Sequence, residues 1–181
     1  MSDLILDLGC GKKKREGTIG VDHSDRHKAD IVHDLNLFPY PFEANSIDYI
    51  YIDNCLEHLN SPIDVMAEIY RILKPEGGVK VIVPYFRSHF AFIDPTHKNF
   101  FTVDSFAYYD PSSIICKRYD YTDTRFNIEK IVFNETLKNN ILKKIVLTIA
   151  NRWPHKYESY LSSIFPLDDI TYYLKKYNLD N

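Results

Sequence analysis

The stretch LILDLGCGKKKREGTIGVD, residues 4–22, predicts a buried strand, a Gly-x-Gly turn, a basic run and a second short strand that ends in an acid. Apolar runs at 4–7 and 18–21 supply the two strands. Only residues 8–17 connect them, which is near the lower limit for a crossover and leaves room for at most a turn or two of helix. The stretch therefore predicts two parallel strands joined by a tight, glycine-containing turn.

Three further segments extend this pattern. Residues 29–32 and 46–54 are apolar or β-branched runs, and another run at 79–83 ends at Pro84. The segment SPIDVMAEIYRILKPEGG (61–78) predicts a helix, because Ser61 can cap its N-terminus and Pro62 suits the first helical position. Strands joined in this way imply a parallel sheet, which binds ligands beyond the carboxyl ends of its strands. Polar residues that would meet at that edge are Asp7, Asp22, Asp34, Asp53 and Asn54.

Beyond residue 84 the pattern changes. We predict a short helix at 102–109, a strand at 126–133, an amphipathic helix at 137–150, a helix at 157–164 and a last strand at 170–174. The last two strands are expected to form an antiparallel pair at one edge of the sheet. A helical insertion at about 134–166 would separate them.

The composition limits the class of protein. With 181 residues, 45% of them apolar and 26% charged, the chain is long enough for one domain with a substantial core. A net charge of −3 does not indicate a nucleic-acid-coating surface. Three widely spaced cysteines suit a reducing compartment, and the sequence shows neither a leader nor a membrane-spanning run. We therefore expect a soluble cytoplasmic protein that neither crosses a membrane nor binds nucleic acid.

The Gly-x-Gly turn suggests a nucleotide ligand, and two common kinds are disfavoured. A dinucleotide fingerprint needs a third glycine and a helix N-terminus for the pyrophosphate, but the third-glycine position is Lys14. A Walker-type loop is absent, because Gly11 is followed by KKKR. A ligand with adenosine but no phosphates remains, and S-adenosylmethionine fits that description. Its ribose hydroxyls need a carboxylate acceptor such as Asp22, and its adenine amine needs an acceptor such as Asp34.

Five motifs follow one another along the N-terminal half: LDLGCG, GVD, DIVHDLN, PFEANSIDYIYIDNCLEHL and EIYRILKPEGG. In order and spacing they resemble a small class I S-adenosylmethionine-dependent methyltransferase, over residues 4 to about 106. The resemblance implies an α/β, Rossmann-like, mostly parallel sheet of about seven strands with an antiparallel last pair, helices on both faces and reduced N-terminal helices. It also implies that the cofactor is bound by Asp7, Gly9, Cys10, Gly11, Asp22, His23, Asp34, Leu35, Asn54 and Cys55.

Two departures from the family pattern bear on domain organisation. Lysine replaces the third glycine of the usual Asp-x-Gly-x-Gly-x-Gly motif, and the N-terminal helices that often cover the substrate are missing. We expect one methyltransferase domain at 1–181, with a cofactor-binding half at 1–84 and a substrate-side half at 85–181. The substrate lid is then expected from 84–125, from the insertion, or from a partner subunit, as in a homodimer.

Methyl transfer needs an aligned nucleophile and, for a hydroxyl acceptor, a group that removes its proton. The candidate catalytic residues follow the fourth and fifth strands: His58, His89, Asp94 and His97. The two histidines and the acid at 89–97 could also converge on a metal ion, but their spacing matches no metal signature, and we predict no metal site. The acceptor pocket is expected to include Tyr85, Arg87, Tyr157 and Glu158.

Two other features have a plain structural explanation. Cys55 lies near the position of the nucleophile in 5-methylcytosine enzymes, but the preceding proline is missing, and we expect the thiol to fill core space. The KKKR run is expected to be a solvated loop, and the lysine-bearing helix at 137–150 to pack on the sheet rather than on a membrane surface.

These features together predict an enzyme that uses S-adenosylmethionine to methylate a small molecule at a hydroxyl oxygen, as in a sugar or another metabolite. The alternatives are an RNA or protein methyltransferase and a noncatalytic scaffold with the same fold. The segment after the fourth strand lacks the Asn/Asp-Pro-Pro-aromatic motif of adenine-amine methyltransferases. A nicotinamide oxidoreductase is disfavoured by Lys14 and the short crossover.

Overall fold

The computed structural model describes residues 3–27, 29–134 and 141–178. Its strands are β1 (Ile5–Leu8), β2 (Ile19–Asp22), β3 (Ile31–Val32), β4 (Ile47–Asp53), β5 (Leu73–Pro84), β6 (Phe126–Asn134) and β7 (Asp169–Lys176). Its helices are α1 (Pro62–Ile72), α2 (Phe90–Ile93), α3 (Ile114–Tyr119), α4 (Ile141–Arg152) and α5 (Pro154–Lys156), which continues into a π-helical turn, Tyr157–Leu161. Two 3-10 turns span Asp25–His27 and Leu56–His58.

Within the described residues, seven strands form one sheet in the order β3-β2-β1-β4-β5-β7-β6. The first five strands run parallel to their neighbours, and β7 is antiparallel to both β5 and β6. The chain leaves β6 at one edge, passes through α4 and α5, and returns to insert β7 beside β5. The predicted mostly parallel sheet with an antiparallel last pair is thereby confirmed.

Helix α1 begins where the sequence predicts. The Ser61 hydroxyl accepts a hydrogen bond from the backbone N–H of Asp64 (3.3 Å), and Pro62 occupies the first turn. Helical spacing places its buried apolar residues on one face: Val65, Met66, Ile69 and Ile72. The helix returns the chain from the end of β4 to the start of β5, so that the two strands run parallel.

Residues 9–18, all of them described, form turns rather than helix, as the short crossover predicts. All three lysines of KKKR are exposed and Arg15 is partly buried, but the side chains of Lys14 and Arg15 lie along the sheet. The Lys14 chain covers Gly20, where a Cβ would lie 2.6 Å from Lys14 Cδ. Arg15 pairs with Asp53 and stacks over the ring of Tyr51 at 4.3 Å. The basic run is therefore only partly the solvated loop that the sequence predicts.

The predicted helix at 102–109 is wrong. This segment forms consecutive turns with i→i−3 backbone hydrogen bonds, such as Ala107 N–H to Asp104 O (2.9 Å). The Val103 N–H donates instead to the Glu158 carboxylate (2.9 Å), which comes from the segment before β7. This contact ties the start of the segment to a side chain 55 residues away. The sequence analysis predicts no helix at the positions of α2 and α3.

The predicted insertion contains helices, as expected. Helix α4 begins at Ile141, and the predicted start of that helix at 137 lies outside the described residues. The predicted helix at 157–164 is a π-helical turn that ends at Leu161. In the parts of the chain that the structure describes, no helix is both long and apolar enough to cross a membrane.

Candidate active site

The carboxyl ends of β1, β2 and β4 border a cavity of about 800 Å³. A parallel sheet binds its ligands at this edge, and the volume is within the range of small-molecule sites. The cavity is lined by Gly9, Asp22, His23, Asp34, Leu35, Asn36, Asn54, Cys55, His58, Leu59, Pro95, Thr96 and Lys98. Seven of these, Gly9, Asp22, His23, Asp34, Leu35, Asn54 and Cys55, are among the ten sequence-predicted cofactor residues.

The glycine turn closes one end of this cavity with bare backbone. Gly9 has a φ of +69° and donates its N–H to Val21 O (2.8 Å). A Cβ on Gly9 would lie 2.7 Å from the Cβ of Cys55 and closer still to its Sγ. Both the backbone angle and the lack of space require glycine here.

Asp22 ends β2 in the cavity wall and is only 5% exposed. Its Oδ2 accepts the N–H of Gly11 (3.0 Å) and its Oδ1 accepts the N–H of Ser24 (3.0 Å). These two contacts fix the carboxylate, and a carboxylate can accept about four hydrogen bonds. A rigid carboxylate in this position suits the paired hydroxyls of a ribose.

Asp34 and Leu35 form the adjacent wall, after β3. The Asp34 carboxylate accepts hydrogen bonds from the backbone N–H and the side-chain amide of Asn36, both at 2.9 Å, and these bonds lower its pKa. His23 adds a largely exposed imidazole to this wall. The donors and acceptors fit the adenosine part of S-adenosylmethionine, as the sequence predicts.

Three expected cofactor residues lie behind this surface rather than in it. Asp7 is buried, its carboxylate accepts the N–H of Arg15 (2.8 Å), and burial raises its pKa. Cys10 is buried below the turn, and Gly11 donates to Asp22. These contacts shape the loop that carries Gly9, and direct cofactor binding by Asp7, Cys10 and Gly11 stays a prediction.

Cys55 packs against the glycine turn, and burial raises the pKa of its thiol to about 12. The thiol is therefore protonated at neutral pH and is a poor nucleophile. We expect Cys55→Ala to keep kcat/KM for methyl transfer within about threefold of wild type, because the side chain fills space. A loss above a hundredfold in a steady-state assay, with S-adenosylmethionine binding unchanged, would show that the thiol is chemically required.

The four candidate catalytic residues separate in the structure. His58 lines the cavity, and its ring lies 4.6 Å from that of His97. Asp94 is linked to His58 through Thr96, which hydrogen-bonds both. His89 is exposed and contacts the ring of Phe90 instead. His89 therefore does not join Asp94 and His97, an arrangement that the sequence analysis considered but did not predict.

Glu57 is a candidate site residue that the sequence reasoning missed. It is 1% exposed, and His97 Nε2 lies 4.0 Å from its Oε1. Burial raises the pKa of Glu57 to about 8, whereas burial and the neighbouring His97 lower the pKa of His58. The signal was present, because Glu57 immediately precedes His58 in LEHL, but its burial depends on the later segment around His97.

The expected acceptor residues do not line this cavity. Tyr85 and Tyr157 are 0% exposed, and each packs edge-on against the ring of Phe133. The Tyr157 hydroxyl donates to Phe165 O (2.9 Å) within the insertion. Arg87 lines a separate cavity of about 260 Å³. Both tyrosines are thus buried away from this cavity, and their part in acceptor binding stays a prediction.

A second cavity of about 460 Å³ shares Lys98 with the first. Its walls are largely aromatic and include Phe100, Phe101, Tyr108, Tyr109 and Tyr121. Flat apolar walls of this kind suit a ring-shaped ligand. The segment around Lys98 therefore lies between a polar cofactor-type cavity and an aromatic one.

Comparison with known proteins agrees with this geometry. Residues 6–81 match the family model Methyltransf_11, described as a methyltransferase domain. A demethylmenaquinone methyltransferase from Listeria welshimeri is 31% identical over 91 residues, which are 45% of this chain and 38% of the relative.

Solved structures share the fold. A SAM-dependent methyltransferase from Archaeoglobus fulgidus has a TM-score of 0.58 at 20% identity, over 96% of this chain and 86% of that chain. A putative methyltransferase in complex with the Haloferax volcanii Trm112 methyltransferase activator has a TM-score of 0.59 at 19% identity, over 97% of this chain and 83% of that chain.

These findings show a match to a methyltransferase domain over residues 6–81 and, over nearly the whole chain, the fold of S-adenosylmethionine-dependent methyltransferases. More narrowly, residues 6–81, which are less than half of the chain, match the Methyltransf_11 model. The match to the curated relative spans 38% of that protein's length.

Proposed function

We propose that the protein transfers the methyl group of S-adenosylmethionine to a hydroxyl oxygen of a small-molecule acceptor, such as a sugar or another metabolite. The observation that carries this proposal is the composition of the 800 Å³ cavity. One part holds the glycine turn with the carboxylates of Asp22 and Asp34, and another part holds the polar side chains of His58, Thr96 and Lys98.

The first part fits the cofactor. The Asp22 carboxylate would accept the ribose hydroxyls, and the turn at Asp34 and Leu35 would bind the adenine. At Gly9 the backbone can approach the methionine part because no Cβ intervenes. The cofactor's sulfonium supplies the reactive methyl group, so the remaining residues need to orient the acceptor and exclude water.

The second part fits an acceptor. Of the four candidate catalytic residues, His58 lies in the cavity wall. We propose that His58 promotes removal of the proton from the acceptor hydroxyl. Thr96 and Lys98 add hydrogen-bonding groups beside it. A net charge of −3 supports a small acceptor over RNA.

The aromatic cavity favours a second acceptor class, a hydroxylated aromatic ring. Its walls adjoin the cofactor-type cavity at Lys98, and the Listeria relative is named a demethylmenaquinone methyltransferase. A ring bound between Phe100 and Tyr121 would place its polar edge toward Lys98.

The proposal also covers the setting of the reaction. We assign residues 1–84 to cofactor binding and 85–181 to the substrate side of a single domain, in a cytoplasmic protein that can form a homodimer. The three free cysteines support a reducing compartment.

The test is a transfer assay with methyl-labelled S-adenosylmethionine and the purified full chain. Separate reactions would contain sugars, hydroxylated aromatic rings, RNA and unrelated protein. We expect label on a hydroxyl of one of the first two classes, and its loss in Asp22→Asn. Transfer to RNA or protein would overturn the acceptor class, and folded protein that binds neither S-adenosylmethionine nor S-adenosylhomocysteine would support the scaffold alternative.

A further inference from the structure

We propose that Glu57, His58 and His97 form a binding site for a divalent transition-metal ion of the zinc type. One ligand atom from each residue lies within 4.8 Å of the other two. Two imidazoles and one carboxylate are a ligand set that zinc and related ions take in proteins. The sequence analysis predicts no metal site, and of the residues 89, 94 and 97 that it considered only His97 belongs to this group.

The first argument is the buried carboxylate of Glu57. Neither of its oxygens has a hydrogen-bond partner among the described residues, although both are shielded from solvent. Leaving a polar group buried without a partner is costly, and such groups are rare in native proteins. A bound cation would supply the missing partner for both oxygens.

The second argument is the orientation of His97. Its Nδ1 lies 3.0 Å from the backbone carbonyl oxygen of Ala91. Because a carbonyl oxygen can only accept, Nδ1 must carry the proton and Nε2 must present its lone pair. That Nε2 is the atom that faces Glu57, at 4.0 Å from Oε1. A hydrogen bond from the non-coordinating nitrogen to a carbonyl is the usual support of a metal-binding histidine.

His58 is oriented in the same way, through a hydroxyl. Its Nδ1 lies 2.9 Å from Thr96 Oγ1, and Thr96 Oγ1 donates its single proton to Asp94 Oδ1 (2.6 Å). Thr96 must therefore accept from His58, so that Nδ1 is protonated and Nε2 carries the lone pair. Hydrogen bonds that run from a metal-binding histidine to a hydroxyl and a carboxylate orient the ring and fix its tautomer, and Thr96 and Asp94 would do this for His58.

Backbone contacts hold the two halves of the site together. The N–H groups of Lys98 and Asn99 donate to Glu57 O at 2.8 and 3.1 Å, and the Asn99 side-chain amide donates to Leu59 O (2.7 Å). Around a four-coordinate ion with bonds of about 2.0–2.2 Å, ligand atoms lie roughly 3.4 Å apart. The ligand atoms of Glu57, His58 and His97 now lie within 4.8 Å of one another, so they would move together by about 1 Å when an ion binds. Rotation of the side chains can supply this movement.

The position of the ion relates to methyl transfer. Three protein ligands leave a fourth position open, and His58 lies in the wall of the cofactor-type cavity. If the proposed function holds, His58 would act on the acceptor through the ion that it ligates and not as a free base. An acceptor oxygen bound to the ion would lose its hydroxyl proton more easily, because a bound cation lowers the pKa of its oxygen ligand. Metal binding itself does not depend on that step.

The test uses untagged full-length protein freed of metal by a chelator. Co²⁺ is titrated and followed by its visible absorption, and Zn²⁺ competition gives the zinc affinity. We expect about one ion per chain, an affinity at least tenfold lower in Glu57→Gln, His58→Gln and His97→Gln, and an unchanged affinity in His155→Gln. His155 is the matched control, because it pairs with Asp104 at 3.0 Å on the surface without a third ligand. Thr96→Val, which removes only the orienting hydroxyl, should weaken binding about tenfold.

Binding of S-adenosylhomocysteine by the metal-free protein is measured in parallel. Retained binding with no stoichiometric Co²⁺ would overturn the metal site while leaving the proposed function intact. Equal Co²⁺ affinity in the wild type and in His58→Gln would also overturn the metal site. Because His58 is half-exposed, its variant is expected to fold even if Glu57→Gln does not, and the test then rests on His58→Gln.

Discussion

Replacing Asp22 with asparagine is expected to weaken binding of S-adenosylmethionine and S-adenosylhomocysteine at least about a hundredfold, or about 2.7 kcal/mol. The carboxylate stands in the cavity wall, held by the N–H groups of Gly11 and Ser24. An amide has nearly the same size, but it lacks the charge and turns one acceptor into a donor. Hydrogen bonds to a charged group contribute about 1.5–3 kcal/mol each, and a ribose offers two hydroxyls.

The measurement is calorimetric titration with both ligands, and Asp25→Asn is the matched control. Asp25 is exposed in the 3-10 turn that follows β2, outside the residues that line the cavity, so it reports the loss of one negative charge nearby. Titration of both proteins with a 2′-deoxy analogue of S-adenosylhomocysteine completes a double-mutant cycle, in which one change is in the protein and the other is in the ligand. If Asp22 binds the ribose, removing the hydroxyl should cost little more in Asp22→Asn, because the two changes delete the same interaction.

Two results would contradict this role for Asp22. A loss smaller than threefold would show that the ribose is bound elsewhere. An equal loss in Asp25→Asn would show that the effect is long-range electrostatics. Circular dichroism of each variant separates both results from unfolding, since Asp22 also holds Gly11 and Ser24 in place.

The cofactor side of the site could be predicted from the sequence because its determinants are local. Gly9 and Asp22 lie within a stretch of 19 residues that contains both strands and their connection. The φ of a glycine, the end of a strand and an acid after it are all set by neighbours in the chain. Asp34 and Asn54 follow the same rule, because parallel strands bring their carboxyl ends to one edge.

The acceptor side could not be predicted in this way because it depends on packing between distant segments. Glu57 becomes a buried, unpartnered acid only when the segment around His97 covers it. Tyr85 follows a strand and resembles a site residue in sequence, but the insertion buries it against Phe133. The turns at 102–109 also make a distant contact, since the Val103 N–H donates to the Glu158 carboxylate 55 residues away.

Replacing Gly9 with alanine is expected to have the largest effect on stability, lowering the free energy of unfolding by about 2–5 kcal/mol. An L-residue at the φ of +69° costs about 1–2 kcal/mol, and overpacking against Cys55 costs about 1–3 kcal/mol more. A domain of this size has only about 5–15 kcal/mol of net stability. The variant should therefore unfold at much lower urea concentration and bind S-adenosylmethionine weakly.

The two contributions can be separated with a matched control and a second-site change. Gly17 has a similar φ of +77°, but a Cβ there would meet nothing within 4 Å, so Gly17→Ala reports backbone strain alone, about 1–2 kcal/mol. In a Cys55→Gly background the obstructing atoms are absent, and Gly9→Ala should then cost no more than Gly17→Ala.

Urea denaturation of the wild type and the four variants completes this cycle, with S-adenosylhomocysteine titration on each. Equal costs for Gly9→Ala in both backgrounds would contradict the close approach of Gly9 to Cys55. If instead stability recovers in the double variant while cofactor binding does not, the bare backbone at Gly9 acts on the ligand directly. The glycine then serves two separate requirements, the contact between β1 and β4 and the approach of the cofactor, which explains why a local motif fixes both the fold and the site.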